Sequence, residues 1–330
     1  MKGMKIRKSV MFPIIILLLI ALFLVSVCTG SLNVSPSALF RGLFVEYSET
    51  VATVYDLRLP RVFISMLAGA ALAVSGVLMQ SVMKNPIADP GVIGISSGAA
   101  FSAVVVTALA PSLFFLTPLF ALAGGIIAFL IVYSLAWNGG LNPLRVILVG
   151  VAVNAMFVGL SSAFNSFSGG NLSGVAAIVN GNITMKTWDD VSTLFWYTAA
   201  GLILSVFLAG RCNLLALEDK TARSLGVNVD RTRLIVSFAA VLLASGATAI
   251  VGVVGFLGLI APHIARILVG TAHGKLIPFA MLLGAFLLLF ADTLGRLLAA
   301  PYEIPAGVLM AVIGGPFFVF LLKKSGRYGR

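Results

Sequence analysis

The sequence is 330 residues long, 60% hydrophobic and only 10% charged, where a soluble domain carries about a quarter charged residues. That much apolar side chain cannot be hidden in a water-soluble core, so most of the chain faces lipid. The net charge of +11 comes without a basic stripe interleaved with aromatics, which argues against a nucleic-acid partner. Cys28 and Cys212 lie far apart in or beside apolar runs, so they imply neither a disulfide framework nor a metal site.

In chain order, the first element is a basic N-terminus followed by the apolar run Val10 to Val27. The run is longer than a signal-peptide core and no small-x-small cleavage site follows it, so it reads as an uncleaved first span. Stretches of about 20 apolar residues cross a bilayer. They are expected at 10–29, 62–82, 92–110, 115–136, 144–164, 192–210, 233–250, 253–269, 276–296 and 304–322. The seventh and eighth nearly fuse, and "GVVGFLGLIAPH" separates them with three glycines and Pro262. Ten spans with both termini inside place 17 of the 22 basic residues on the cytoplasmic side, as the positive-inside rule requires. Arg41, Arg58, Arg61, Lys186 and Arg296 remain outside. The expected fold class is an all-α polytopic membrane protein, a single domain over 1–330.

Between the second and third spans lies "NPIADPGVIGISSGAA". Pro86 and Pro90 stop the incoming helix, Gly91 and Gly94 permit a tight re-entry, and Ser96 and Ser97 offer caps or polar lining. The fifth span ends in Asn154, Ser161, Ser162, Asn165 and Ser166, with Ser161 and Asn165 on one face. Lining of a polar path and helix–helix hydrogen bonding are both open readings of that face. Arg211 to Arg233 is the largest polar insertion. Glu218 and Asp219 favour the start of a short helix there, Ala222 and Leu225 give it an apolar side, and Gly226 ends it. Asp230 is expected to cap the seventh span. Asp292 and Arg296, four apart in "ADTLGR", read as an i,i+4 pair. His263 and His273 read as solvated or interfacial. Arg61 and Arg231 are each followed at +14 and +15 by Ser-Gly, a weak hint of an inverted repeat. There is no Walker A motif, no HExxH and no nucleophile–base arrangement. Too few buried ionisable groups are present for a proton-coupled carrier.

Four segments in register resemble the permease subunits of the FecCD family. They are "DLRLPRVFISMLAGAALAVSGVLMQSVMKNPIADPGVIGISSGAA", "LALEDKTARSLGVNVDRTR", "GVVGFLGLIAPHIARILVG" and "ADTLGRLLAAPYEIPAGVLMAVIGGPFFVFLL". The resemblance implies the type II ABC importer permease fold with ten spans, in a bacterial plasma membrane. It implies two permease subunits, identical or paralogous, two cytoplasmic ATPases that use ATP and Mg²⁺, and an extracytoplasmic substrate-binding protein. No cofactor is implied for this chain. Leu217, Glu218, Asp219, Ala222, Leu225 and Gly226 match the family's ATPase-coupling helix. Arg58, Arg61 and Arg296 match positions that receive acidic residues of the binding protein, and exposed guanidiniums would grip carboxylates bidentately. Asn85 and Ile87 match the inner narrowing, and Asn154, Ser161, Ser162 and Asn165 fall on the family's path-lining span. The implied cargo is an iron chelate, with iron–siderophore first, haem second and cobalamin third; the outer segment "GNITMKTWDDV" keeps haem close.

Overall fold

A chain this apolar satisfies its backbone polar groups inside lipid by forming helices. The computed structural model describes residues 10–30, 34–44, 49–91, 93–137, 143–167, 181–299 and 302–325, and the elements among them are helices. They are α1 (Met11–Cys28), α2 (Pro36–Phe44), α3 (Glu49–Thr53), α4 (Leu59–Met83), α5 (Ile95–Leu109), α6 (Thr117–Ala136) and α7 (Pro143–Phe167). There follow α8 (Trp188–Leu215), α9 (Asp219–Ser224), α10 (Val229–Val251), α11 (Leu257–Val269), α12 (His273–Leu298) and α13 (Ala306–Ser325). A π-turn, Val54–Arg58, feeds directly into α4.

The bundle is organised around α4, which is buried along nearly its whole length. Its small residues let neighbouring backbones approach it closely. A Cβ on Gly76 would stand 1.9 Å from the Gly258 carbonyl oxygen of α11, and one on Gly69 would stand 2.3 Å from that of Gly284 on α12. Ser75 of α4 also donates to the Ala240 carbonyl of α10 at 2.7 Å, so the two helices of the faint repeat pack on each other. The peripheral helices expose large apolar side chains instead, such as Leu17 on α1 and Phe207 on α8. Those faces suit lipid tails.

Among the described residues, seven helices are long and apolar enough to cross a membrane, and three shorter apolar helices are Ile95–Leu109, Leu257–Val269 and Ala306–Val319. The ten expected spans therefore divide into seven long and three short. The first two short helices are short because 84–91 with 93–94, and 252–256, are spent on irregular backbone before the helix begins. The basic residues that put the termini inside fall largely on 1–9 and 326–330, outside the described residues.

Two local expectations are corrected. Asn228 caps α10, accepting the Arg231 N–H at 3.0 Å, while Asp230 already lies in the first helical turn. Pro262 does not break the chain; it sits inside α11. The missing N–H of Pro262 leaves the Gly258 carbonyl without its helical donor, and Gln80 Nε2 of α4 fills the gap at 3.1 Å. The split between α10 and α11 comes instead from Gly252 and Phe256, both at positive φ.

Because the Gly76–Gly258 approach is between backbones, Gly76→Val is expected to destabilise the protein by roughly 1–3 kcal/mol or more. Gly210→Ala, where an added Cβ meets nothing within 4 Å, should be neutral. Thermal unfolding in detergent distinguishes the two; equal midpoints would contradict the packing assignment.

Candidate translocation path and docking surfaces

Four successive local bonds build the turn between α4 and α5. Lys84 ends α4 in the left-handed region at φ 47°. The Asn85 side-chain oxygen accepts the Ile87 N–H at 3.0 Å. Asp89 Oδ1 accepts the Gly91 N–H at 2.8 Å. The Asp89 and Pro90 carbonyls then accept the N–H groups of Ile93 and Ile95, both at 3.1 Å. Gly94 takes φ +89° immediately before α5, where its missing Cβ lets the backbone of α7 approach. Short polar side chains satisfying the backbone two residues on are what a proline-interrupted, membrane-depth turn requires.

This turn forms one wall of a cavity of about 710 Å³. Ile87, Ala88, Asp89, Gly91 and Ile93 line it from the turn, and Ser96 and Ser97 from α5. Asn154, Ser161, Ser162 and Asn165 face it from α7, so the expected path residues of that helix converge on the same space as Ile87. Asn85 does not line it; its side chain is consumed in holding the turn. Ser161 and Ser162 donate to the carbonyls of Phe157 and Val158, which quiets their hydroxyls within the helix. The opposite wall carries Phe256 and Phe318, with ring centroids 6.5 Å apart. Phe256 is held at φ 64°, an uncommon conformation for an aromatic residue. The lining is apolar with a few polar groups, the usual composition of a small-molecule site.

At the same end of the bundle, α9 stands on the connection between α8 and α10. Glu218 takes the extended N-cap conformation, Asp219 opens the helix, and Gly226 follows it at φ +81°. Ala222 is buried against the bundle, whereas Leu225 is 61% and Leu217 38% exposed. Asp219 is tied by two cations through one carboxylate oxygen. Lys84 Nζ reaches its Oδ1 at 2.7 Å and Arg233 Nη2 reaches the same oxygen at 3.0 Å; Lys84 also donates to the Leu217 carbonyl. Burial would raise the Asp219 carboxyl, but the Lys84 hydrogen bond and the Arg233 and Lys84 charges outweigh it and hold it below the usual carboxylate range. A depressed carboxylate stabilises the fold above its unfolded value and is lost only as pH falls through the lower folded value. The contact is therefore complete throughout the neutral range.

At the other end, the three expected docking arginines are buried and bonded within the chain rather than exposed. Arg58 donates to the Val27 carbonyl at 2.7 Å. Arg61 grips Asp292 through Nε and Nη2, at 3.0 and 2.8 Å, and turns Nη1 to Glu303 at 2.8 Å. Arg296 bonds the Ser26 carbonyl and hydroxyl at 3.0 and 2.6 Å. Its i,i+4 approach to Asp292 is present but long, 3.5 Å. The main partner of Asp292 is thus Arg61, 231 residues away. Hydropathy assigned these arginines a side of the membrane but carried no signal for their depth. Asp292, a carboxylate within an apolar run, was the available clue to a buried ion pair there.

His273 also departs from the solvated reading. It is buried, and Asn213 Oδ1 accepts from its backbone N–H at 3.0 Å and from Nδ1 at 2.8 Å. In the neutral ring this leaves Nε2 to accept from Ser81, 2.7 Å away, so the histidine joins α4, α8 and α12. His263 is half-buried, edge-on to Phe317 at 6.0 Å.

Removing one partner of a buried, doubly hydrogen-bonded ion pair leaves an uncompensated charge, at about 3–5 kcal/mol. Asp292→Ala is expected to lower stability by that order in denaturant or thermal unfolding. A loss under about 1 kcal/mol would mean that Glu303 alone satisfies Arg61.

Residues 18–324 match the FecCD transport family. The chain is 41% identical over 323 residues, 98% of both chains, to IsdF of Staphylococcus aureus strain Newman, described as a haem-iron transport system permease protein. The counterpart in strain MSSA476 is 40% identical over the same length. Among solved structures, one described as an inward-facing metal-chelate type ABC transporter superposes with a TM-score of 0.83 at 30% identity, covering 96% of this chain and 99% of that one. PsaBC from Streptococcus pneumoniae, in complex with Fab, shares the fold with a TM-score of 0.55 at 15% identity, over 87% of this chain and 95% of that one. The turn between α4 and α5, the cavity and the short polar helix lie within the matched span, and the chain belongs to the FecCD transport family.

Proposed function

We propose that this chain is the multi-pass permease subunit of an ATP-driven importer in a bacterial plasma membrane, and that its cargo is haem. The observation that carries the reading is the match to IsdF across 98% of both chains. The sequence alone ranked iron–siderophore ahead of haem; this relative reverses that order. The cavity supports it chemically. A porphyrin offers two large apolar faces, and the wall formed by Phe256 and Phe318 is apolar and aromatic. The ionisable group in the lining is Asp89, whose Oδ1 is already occupied by the Gly91 N–H. A polyanionic catecholate chelate would call for cations there.

In this reading the chain crosses the membrane ten times, with the three short helices completing the count, and pairs with a second permease subunit around the path. Two ATPases using ATP and Mg²⁺ seat on α9 through exposed Leu217 and Leu225, with Glu218 at the helix start. A binding protein delivers haem at the end that carries Arg58, Arg61 and Arg296. ATP closure of the ATPases moves α9, and the cavity opens alternately outward and inward. The chain itself has no catalytic role.

Glu218→Arg is expected to weaken ATPase capture by the detergent-solubilised chain; capture at the parental level would remove α9 from the docking surface. For the cargo, Phe318→Ala should reduce haemin uptake by about two- to tenfold, the scale of a lost aromatic contact, in proteoliposomes holding the full complex. Uptake of a ferric hydroxamate siderophore, with haemin not transported, would return the assignment to siderophores.

A further inference from the structure

The interactions of Lys84 are not accounted for by a docking helix or by a path cavity taken separately. The residue belongs to the C-terminus of α4, one position before the gate turn, and adopts the left-handed conformation at φ 47°. A lysine there costs conformational free energy that a glycine would not. Its side chain runs to the Leu217 carbonyl and to Asp219 at 2.7 Å, 135 residues away in sequence. The same Asp219 oxygen accepts Arg233 Nη2 at 3.0 Å. The Arg233 side chain is 4% exposed and lies in the first turns of α10.

Both elements that meet at Asp219 lead to the cavity. From Lys84 the chain enters the turn held by the bonds at Asn85, Asp89 and Pro90. A displacement of Lys84 is therefore passed to Ile87 and Ile93 at the cavity wall. From Arg233, α10 runs unbroken to Val251 and then into the 252–256 segment, of which Val253, Gly255 and Phe256 line the same cavity. The two routes touch again at the top, where Gly258 packs against Asp89 and Pro90. A single carboxylate on the short helix is thus linked through the chain to two segments that line the cavity.

We propose that Asp219, Lys84 and Arg233 form a strut that transmits movement of α9 to the gate turn, and that Lys84 and Asp219 are positioning residues for gating rather than contacts for the ATPase. The proposal rests on the reading of α9 as the ATPase-coupling helix. It adds the route by which that helix reaches the gate. Of the three side chains, Arg233 is the one shielded from a partner; Lys84 and Asp219 are partly exposed, at 28% and 38%. The partly solvated Lys84–Asp219 pair adds little to stability, typically below about 1 kcal/mol, so replacing Lys84 is expected to spare the fold and to act on coupling.

The test uses the full-length chain with its ATPase in proteoliposomes and a reporter that needs no cargo. Maleimide labelling of Ile87→Cys is followed with and without ATP and vanadate, against the parent chain as background for Cys28 and Cys212. Trapping is expected to change the labelling rate by about fivefold or more in Ile87→Cys alone and in its combination with Lys84→Arg, which keeps the charge and reach. In Lys84→Met and in Asp219→Asn the change should shrink to about twofold or less, while ATPase capture stays within about twofold of the parent. A full labelling change in Lys84→Met would overturn the strut. Loss of ATPase capture in Lys84→Met would also overturn it, by making Lys84 part of the docking surface. Failure of the underlying reading shows separately, as normal ATPase capture by Glu218→Arg.

Discussion

The arrangement depends on one constraint, the backbone-to-backbone approach of α4 to α11 and α12. Gly76 lies against the Gly258 carbonyl and Gly69 against that of Gly284, at distances that leave no room for a Cβ. In lipid no hydrophobic force draws helices together, so dispersion between closely fitted backbones and interhelical hydrogen bonds must do it. The Gln80 bond to the carbonyl orphaned by Pro262 is one such bond; the Ser75 bond to Ala240 is another. Held this way, α4 is a buried rod and the lipid-facing helices surround it.

Both ends of that rod carry charge, with different energetic character. At one end Arg61 and Asp292 are 8% and 1% exposed and tightly paired. Such a pair is expensive to break and weak as evidence of stabilisation, and its effect is to fix where α4 and α12 meet. At the other end Lys84 and Asp219 are partly solvated, so their pairing is cheap to rearrange. A fixed end and an adjustable end suit the proposed mechanism, in which movement starts at the end that carries α9. The intervening cavity is bounded by irregular backbone from two segments, 87–91 with 93 and 253–256. Such backbone at membrane depth is tolerated where it is buried in protein or lines a cavity.

Local chemistry was legible in the sequence. The positions of the helices, the proline- and glycine-broken turn before α5, and the helix opened by Glu218 and Asp219 all follow from composition within a few residues. What was not legible is long-range pairing. Arg61 with Asp292, Lys84 with Asp219 and His273 with Asn213 are separated by 231, 135 and 60 residues, and no periodicity signals them. The same limit explains why Arg58, Arg61 and Arg296 were expected at the surface. Hydropathy places a charge at a span's end, but not whether a neighbouring helix covers it. The choice of Arg296 as the partner of Asp292 followed the nearest helical spacing, whereas the tertiary partner offers a bidentate grip at 2.8 and 3.1 Å.

The most direct test of the account is haemin uptake into proteoliposomes that contain this chain alone or with its ATPase and binding protein. The account predicts uptake only with the complete assembly and ATP, and none when a non-hydrolysable nucleotide is substituted. Concentrative uptake by the chain alone, driven by an ion gradient and indifferent to ATP, would contradict it and make the protein a secondary carrier.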